Sequence, residues 1–154
     1  MKRKPIIAVI GAGQASRSGY ERAREVGRQI AASGAVLISG GLGGIMEAAS
    51  RGCSEAGGMV VGILPGSEAE EANDYVQIAL PTNLGHARNI VIAHSANALV
   101  AVEGEYGTLS EMAVALKLGR PVVTLDCRWE IEGAVPAATP VEAVSIALER
   151  MNHK

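Results

Sequence analysis

Two glycine-rich stretches of the chain have the composition of turns that bind phosphate. Residues 40–44, Gly-Gly-Leu-Gly-Gly, follow a short apolar run and precede an amphipathic one. Residues 103–111 follow the apolar run 98–102 and open a second amphipathic run. A glycine turn between a buried strand and a helix presents free backbone N–H groups at the positive end of the helix dipole, which suits an anion. The two turns together predict a small phosphorylated ligand held between them.

The glycine content of residues 40–44 is greater than a single turn needs. Four of the five positions are glycine, Gly41 among them. A crowded turn with positive φ angles would explain some of these glycines. An anion cradle built from bare backbone explains their density better, and we favour it.

A third glycine turn, residues 11–13, follows the first apolar run. The dinucleotide fingerprint needs G-x-G-x-x-G, but Ser16 stands where the third glycine belongs. No acidic residue is placed to bind a ribose at the end of the second strand, so NAD binding is not expected. Gly11 and Gly13 stay open as a ligand-facing turn of another kind. No glycine turn is followed by Lys and a hydroxyl residue, which excludes a Walker-type ATPase.

Two charged residues could act on the ligand. Arg88 is predicted about one turn into a largely apolar helix at the carboxyl edge of the sheet, where a guanidinium pairs with phosphate or carboxylate. Glu111 fits a capping box that begins at Thr108, which would explain it without chemistry. A catalytic role for Glu111 is equally compatible with the spacing. His86 and His94 are expected to be structural or exposed, and no Ser–His–Asp set can be assembled.

The elements that position these residues alternate in type along the chain. Apolar runs predict strands at residues 6–10, 35–39, 59–64, 75–80, 98–102 and 122–125. Amphipathic runs predict helices at residues 20–32, 45–56, 84–96, 108–118 and from 140 onwards. Residues 67–74 are expected to form a mobile surface loop, and residues 126–139 are expected to be irregular. The pattern predicts an α/β fold, a doubly wound parallel sheet in a three-layer α/β/α Rossmann-like sandwich.

Polar residues predict where two of the helices begin. Thr82 or Asn83 is expected to cap the third helix, and Thr139, followed by Pro140, is expected to cap the last. The third helix is apolar on most sides, so we expect a partner subunit to cover part of it. The expected assembly is a homodimer or a larger homo-oligomer.

Composition limits the class of protein. The 154 residues are 48% apolar and 19% charged, which predicts one globular domain over residues 1–154. A net charge of −2 and 3% aromatic residues argue against a nucleic-acid surface. No apolar run approaches the roughly 20 residues that span a membrane, and the basic N-terminus precedes too short a run for a signal peptide. Cys53 and Cys127 lack disulfide or metal-ligand spacing, which favours reduced thiols, a cytoplasmic location and no metal site.

The motifs resemble those of a known superfamily. Residues 40–47 and 61–65, GGLGGIME and VGILP, resemble the GGGxxGLMG…VIGVxP segment of the Lonely guy proteins. Those are Rossmann-like phosphoribohydrolases, often mislabelled as lysine decarboxylases. Residues 103–111 are similar to their PGGxGTxxE motif, and residues 87–89 to the segment around their active-site Arg. The shorter patterns SGGxGG(I/V)M, G(I/V)LPG and ARN resemble a bacterial branch related to molybdenum cofactor carrier proteins.

The resemblance implies a set of site residues. It assigns the first phosphate-side turn to Gly43, Gly44 and Met46, and the second to Gly104, Gly107 and Thr108. It assigns the residues that act on the ribose linkage to Arg88 and Glu111.

The resemblance also implies a choice of functions within a nucleotide-binding domain. The first is hydrolysis of the N-glycosidic bond of a nucleoside 5′-monophosphate with no required cofactor, in which Glu111 steadies the ribose or orients water and Arg88 positions the substrate. Glu103 and Glu105 depart from the hydrolase motif, since carboxylates here repel phosphate or rearrange the turn. The second is a non-catalytic carrier or sensor of molybdenum cofactor or a related phosphorylated pterin or nucleotide. The third is an oligomeric scaffold with a vestigial pocket.

Overall fold

The computed structural model describes residues 1–152, and within them strands and helices alternate. The strands are β1 (Ile6–Gly11), β2 (Val36–Ser39), β3 (Val60–Leu64), β4 (Ile78–Pro81), β5 (Ala98–Val102), β6 (Val122–Leu125) and β7 (Val135–Ala137). The helices are α1 (Arg17–Ala32), α2 (Ile45–Glu55), α3 (Arg88–Ser95), α4 (Tyr106–Lys117) and α5 (Pro140–Met151). The strands form one sheet in the order β4-β3-β2-β1-β5-β6-β7, and every neighbouring pair is parallel.

Helices cover both faces of the sheet. Successive side chains of a strand point to opposite faces, and β1 shows this clearly. Ile7 and Val9 pack with residues of α1, α2 and α5. Ala8 and Ile10 pack with residues of α3 and α4. The predicted doubly wound three-layer sandwich is therefore confirmed.

The strand order reverses beside β1. Chain order runs outward from β1 to β4 on one side and from β5 to β7 on the other. In an open parallel sheet, ligands bind in the crevice at the carboxyl edge of such a switch point. The three glycine turns of the sequence follow β1, β2 and β5, which are adjacent in the sheet. The fold therefore brings the three predicted turns side by side.

The third helix is shorter than predicted. A 3₁₀ turn over Gly85–Ala87 replaces its expected start, and α3 begins at Arg88. Thr82 does not cap this helix, since its hydroxyl donates to Leu64 O at 2.7 Å and accepts from Leu84 N at 3.2 Å. Asn83 does not cap it either, because Ala87 occupies the cap position. Thr82 instead fastens this loop to the end of β3.

The fourth helix begins two residues earlier than predicted. Its N-cap is Glu105, in extended conformation, and Thr108 is the third helical residue. The Thr108 hydroxyl accepts the Glu105 N–H at 3.2 Å, so the capping box joins these two residues. The predicted box between Thr108 and Glu111 is wrong. Glu111 lies in the second turn of α4, where it is buried and serves no cap.

Two segments expected to be irregular contain short elements. Residues 126–139 include β7, which pairs with β6 at one edge of the sheet. Residues 67–74 include a 3₁₀ turn over Ala69–Glu71. The predicted cap of the last helix is confirmed, since the Thr139 hydroxyl accepts the Glu142 N–H at 3.1 Å. Short elements such as these carry too few residues for a periodic signal.

Candidate ligand-binding site

The turn after β2 has the carbonyl groups of Gly41 and Leu42 in hydrogen bonds and three consecutive N–H groups, those of residues 42–44, in none of the described chain. The buried Ser39 hydroxyl accepts the Gly41 N–H at 3.0 Å. Asn73 donates from its backbone to Gly41 O at 2.8 Å and from its side chain to Leu42 O at 2.9 Å. No hydrogen bond within residues 1–152 uses the N–H groups of residues 42–44. These N–H groups form the kind of backbone nest that binds an anion.

The turn after β2 packs directly on the turn after β1. Gly44 has φ 64°, and a Cβ placed on it would lie 2.5 Å from Gly13 O. The Ile45 N–H donates to Ala12 O at 3.0 Å, which joins the start of α2 to the first turn. A Cβ on Gly43 would meet Gly13 O at 3.5 Å. Only glycine fits at position 44, since its φ is left-handed and the neighbouring backbone leaves no room.

Arg88 lies over the turn after β2. Its side chain is 8% exposed, and a Cβ on Gly40 would come within 2.5 Å of its Nη2 and 2.8 Å of Met46 Sδ. Its Nη1 donates to Asn89 Oδ1, while its buried Nε has no partner. Within the described part of the chain, Arg88 makes no ion pair shorter than 4.0 Å. A buried cation without a close counter-charge is unfavourable, so an anionic ligand bound here would stabilise the guanidinium.

The Glu111 carboxyl, on α4, lies near Arg88 but is only partly ionised, so it does not fully neutralise the guanidinium. The carboxyl is 7% exposed, and burial raises its pKa to about 7, although the positive charge of Arg88 opposes the rise. Burial lowers the pKa of Arg88, and Glu111 opposes that change. Near neutral pH a large share of Glu111 is therefore protonated, while the guanidinium keeps its charge. When Glu111 is protonated, the pair carries one net positive charge, which an anionic ligand can neutralise.

The turn after β5 carries polar side chains that form hydrogen bonds within the chain. Glu103 has φ 54°, and its carboxylate accepts the Ser16 hydroxyl at 2.6 Å and the Ser16 N–H at 3.1 Å. Thr108 is 2% exposed with its hydroxyl committed to the helix cap. Gly104 has φ 142°, and its missing side chain leaves room for Thr108. Gly107 faces open space.

A cavity of about 670 Å³ opens beyond this turn and is lined by residues of β6, β7 and the segment that joins them. Trp129 lines it together with Asp126, Cys127 and Glu130, and neither Arg88 nor Glu111 does. The Trp129 ring also reaches the β5 turn, 3.3 Å from the position of a Cβ on Gly104. This cavity therefore lies on the far side of the β5 turn from Arg88.

The structure brings together only part of the predicted site. Gly41, Gly43, Gly44, Met46, Arg88 and Glu111 belong to one region around the β2 turn. Gly11 ends β1, and a Cβ there would overlap Val102 O of β5, so packing alone requires this glycine. Three supporting residues were missed: Ser39, Asn73 and Asn89. The first and last stand inside the SGG and ARN patterns, whereas nothing in the sequence marks Asn73.

Comparison with known proteins shows the family to which the chain belongs. The model of the SLOG cluster4 family matches residues 4–152. This chain belongs to the SLOG cluster4 family. Among its relatives is an uncharacterised protein of Archaeoglobus fulgidus, 48% identical over 142 residues that cover 92% of this chain and 93% of the relative. The superfamily predicted from the motifs is thereby confirmed.

Solved structures similar to this SLOG cluster4 protein include molybdenum cofactor proteins. One is the molybdenum cofactor binding protein of the phototrophic bacterium Rippkaea orientalis, 34% identical with a TM-score of 0.89 over 97% of this chain and 98% of that one. Another is the molybdenum cofactor carrier protein of Chlamydomonas reinhardtii, 36% identical with a TM-score of 0.89 over 99% and 100% of the two chains. No helix within residues 1–152 has the length and apolar character to cross a membrane.

Proposed function

We propose that this SLOG cluster4 protein binds a small phosphorylated ligand whose phosphate lies on the β2 turn against Arg88. The observation that supports this proposal is a buried guanidinium with no ion pair within 4.0 Å in residues 1–152. It lies over a glycine turn whose N–H groups at residues 42–44 take part in no hydrogen bond of the described chain. A phosphate would accept hydrogen bonds from both and neutralise the cation. Gly40 carries no side chain that would displace the Arg88 guanidinium from the turn.

The ligand that best fits is molybdenum cofactor or a related phosphorylated pterin, and the role is that of a carrier. Two of the similar solved structures are a binding protein and a carrier protein for this cofactor, and each covers nearly the whole chain. The cavity beside Trp129 offers an aromatic face to the ligand's flat ring. Three strand spacings separate β2 from β6. That distance is about 14 Å, so the ligand would lie across the ends of β1 and β5.

Hydrolysis of a nucleoside 5′-monophosphate is the second function to test. Glu111, buried near Arg88 with a pKa of about 7, has the protonation behaviour of a general acid or base. The two carboxylates of the β5 turn, Glu103 and Glu105, weigh against it, since they stand where the hydrolase motif has proline and glycine. The carrier role is therefore our main proposal.

Binding and turnover can be measured on the same preparation. Molybdenum cofactor and its dephosphorylated form are titrated anaerobically while the fluorescence of Trp129, the one tryptophan in the chain, is recorded. We expect quenching by the cofactor and at least about tenfold weaker binding once the phosphate is removed. Equal affinity for the two forms would contradict the phosphate assignment.

The same protein is then incubated with AMP and assayed for free adenine and ribose 5-phosphate. The carrier proposal expects no release. Release that Glu111→Gln abolishes would overturn it in favour of the hydrolase. The scaffold alternative would be supported if neither the cofactor nor AMP bound.

Self-association stays a prediction of the sequence. The structure offers a surface for it, because Ile78, Leu80, Leu84 and Ile90 on β4, α3 and the loop between them are 44–51% exposed. Neighbouring exposed apolar residues are typical of protein–protein contact surfaces, whereas singly scattered ones are not. Light scattering of the purified protein will give the assembly state.

A further inference from the structure

The positive end of α1 is already occupied by a carboxylate of the same chain. Ser16 is the N-cap of α1, and its hydroxyl accepts the Gly19 N–H at 3.0 Å. The Glu103 carboxylate reaches the same cap from the β5 turn and accepts both the hydroxyl and the N–H of Ser16. These are charge-assisted hydrogen bonds at a helix N-terminus, the contacts that a phosphate makes in a nucleotide-binding fold.

Two features of the backbone are adapted to this carboxylate. A Cβ on Gly19 would overlap the carboxylate of Glu103, so the buried glycine of α1 leaves the space that this group fills. Glu103 itself adopts φ 54°, which residues other than glycine seldom do. Its N–H donates to Leu125 O at 3.2 Å, which fixes this conformation at the end of β5.

We infer that Glu103 determines specificity because its carboxylate occupies the anion-binding N-terminus of α1. The site therefore takes a monophosphate ester and rejects a pyrophosphate-linked dinucleotide. In dinucleotide-binding folds the pyrophosphate lies at the N-terminus of the helix after the first strand. Here the Glu103 carboxylate fills that position and repels a second negative group. The inference rests on the proposed function, in which the single phosphate lies on the β2 turn beside Arg88.

The test compares two substitutions in one turn. Glu103→Gly removes the carboxylate from α1 and suits the left-handed backbone, so the fold is kept. Glu105→Gly is the matched control, since it removes the same charge from the N-cap of α4, not from a hydrogen bond to α1, and glycine at an N-cap costs little. Binding of AMP and ADP to the wild type and both variants is measured by calorimetry at fixed ionic strength.

We expect the wild type to bind AMP at least about tenfold more tightly than ADP, and Glu103→Gly to lose that preference through a gain of about tenfold or more in ADP affinity. Glu105→Gly should keep the preference of the wild type. An unchanged ratio in Glu103→Gly, or an equal gain in Glu105→Gly, would overturn the inference.

A separate readout distinguishes failure of this inference from failure of the proposed function. If the wild type binds no AMP, thermal melting is followed with inorganic pyrophosphate. Stabilisation of Glu103→Gly alone would support the closed α1 position even though the phosphate assignment at Arg88 had failed. Equal melting of all three proteins with and without pyrophosphate would overturn the inference.

Discussion

The turns after β2 and β5 have the same place in the fold and opposite electrostatics. Each joins a buried parallel strand to a helix at the carboxyl edge, and only β1 separates the two strands. The β2 turn leaves the N–H groups of residues 42–44 free beside the buried cation Arg88. The β5 turn carries Glu103 and Glu105, one bonded to α1 and the other capping α4. Whether a glycine turn before a helix can bind phosphate therefore depends on the side chains that the turn carries.

The largest expected effect comes from a side chain added to the β2 turn. Gly44→Ala forces a left-handed φ on alanine and overlaps Ala12 O, so we expect a loss of about 3 kcal/mol in the free energy of unfolding. Gly107→Ala is the matched change in the helix after β5. Its Cβ meets nothing within 4 Å, so a gain of about 0.5 kcal/mol is expected. Urea unfolding measures both, and equal losses would show that the turns do not differ.

The buried carboxyl of Glu111 makes stability depend on pH. Its folded pKa of about 7 is above the usual 4.5, so the folded state holds the proton more tightly than the unfolded state. Stability is then fully present below pH 4.5 and falls, by up to about 3 kcal/mol, as the pH rises through 7. Glu111→Gln removes this dependence.

Urea unfolding at two pH values checks this prediction. The variant should match the wild type near pH 4.5 and be more stable at pH 8, because the amide is never charged. A constant difference between the two proteins at both pH values would contradict the raised pKa.

Loss of one hydroxyl from each turn should have different consequences. Ser39→Ala removes the buried acceptor of the Gly41 N–H, and Thr108→Val removes the acceptor of the Glu105 N–H. Each should cost about 1 kcal/mol in the free energy of unfolding. Only Ser39→Ala should also weaken binding of the phosphorylated ligand, by several-fold, since it loosens the cradle. Weaker binding in Thr108→Val instead would move the phosphate to the β5 turn.

The layers of this fold can be predicted from sequence because its central strands are buried on both faces. Apolar runs at β1 and β5 are unbroken, and all five residues of β5 are buried. The start of α4 could not be predicted in the same way. Thr108 and Glu111 have the residue order of a capping box, whereas the structure pairs Glu105 with Thr108, in the reverse order. Burial of Glu111 near Arg88 decides between them, and that is a tertiary fact.

The candidate site was predictable where its residues stand inside one motif. Gly43, Gly44 and Arg88 belong to this group. The contact between Ser16 and Glu103 was not, because 87 positions separate the two residues. The same is true of Asn73, which reaches the β2 turn from a polar loop without periodicity. Motifs show which backbone can bind an anion, whereas distant side chains decide which turn is free to do so.

We propose that the ligand's phosphate lies on the β2 turn against Arg88. A comparison of affinities between variants tests this position. Molybdenum cofactor is titrated against the wild type, Arg88→Gln and Arg120→Gln. Arg120 is the control because it is also partly buried, with an unpartnered Nε, and its side chain donates instead to His94 O at 3.0 Å. We expect about 10- to 100-fold weaker binding for Arg88→Gln and no change for Arg120→Gln. Unchanged affinity in a folded Arg88→Gln protein would contradict it.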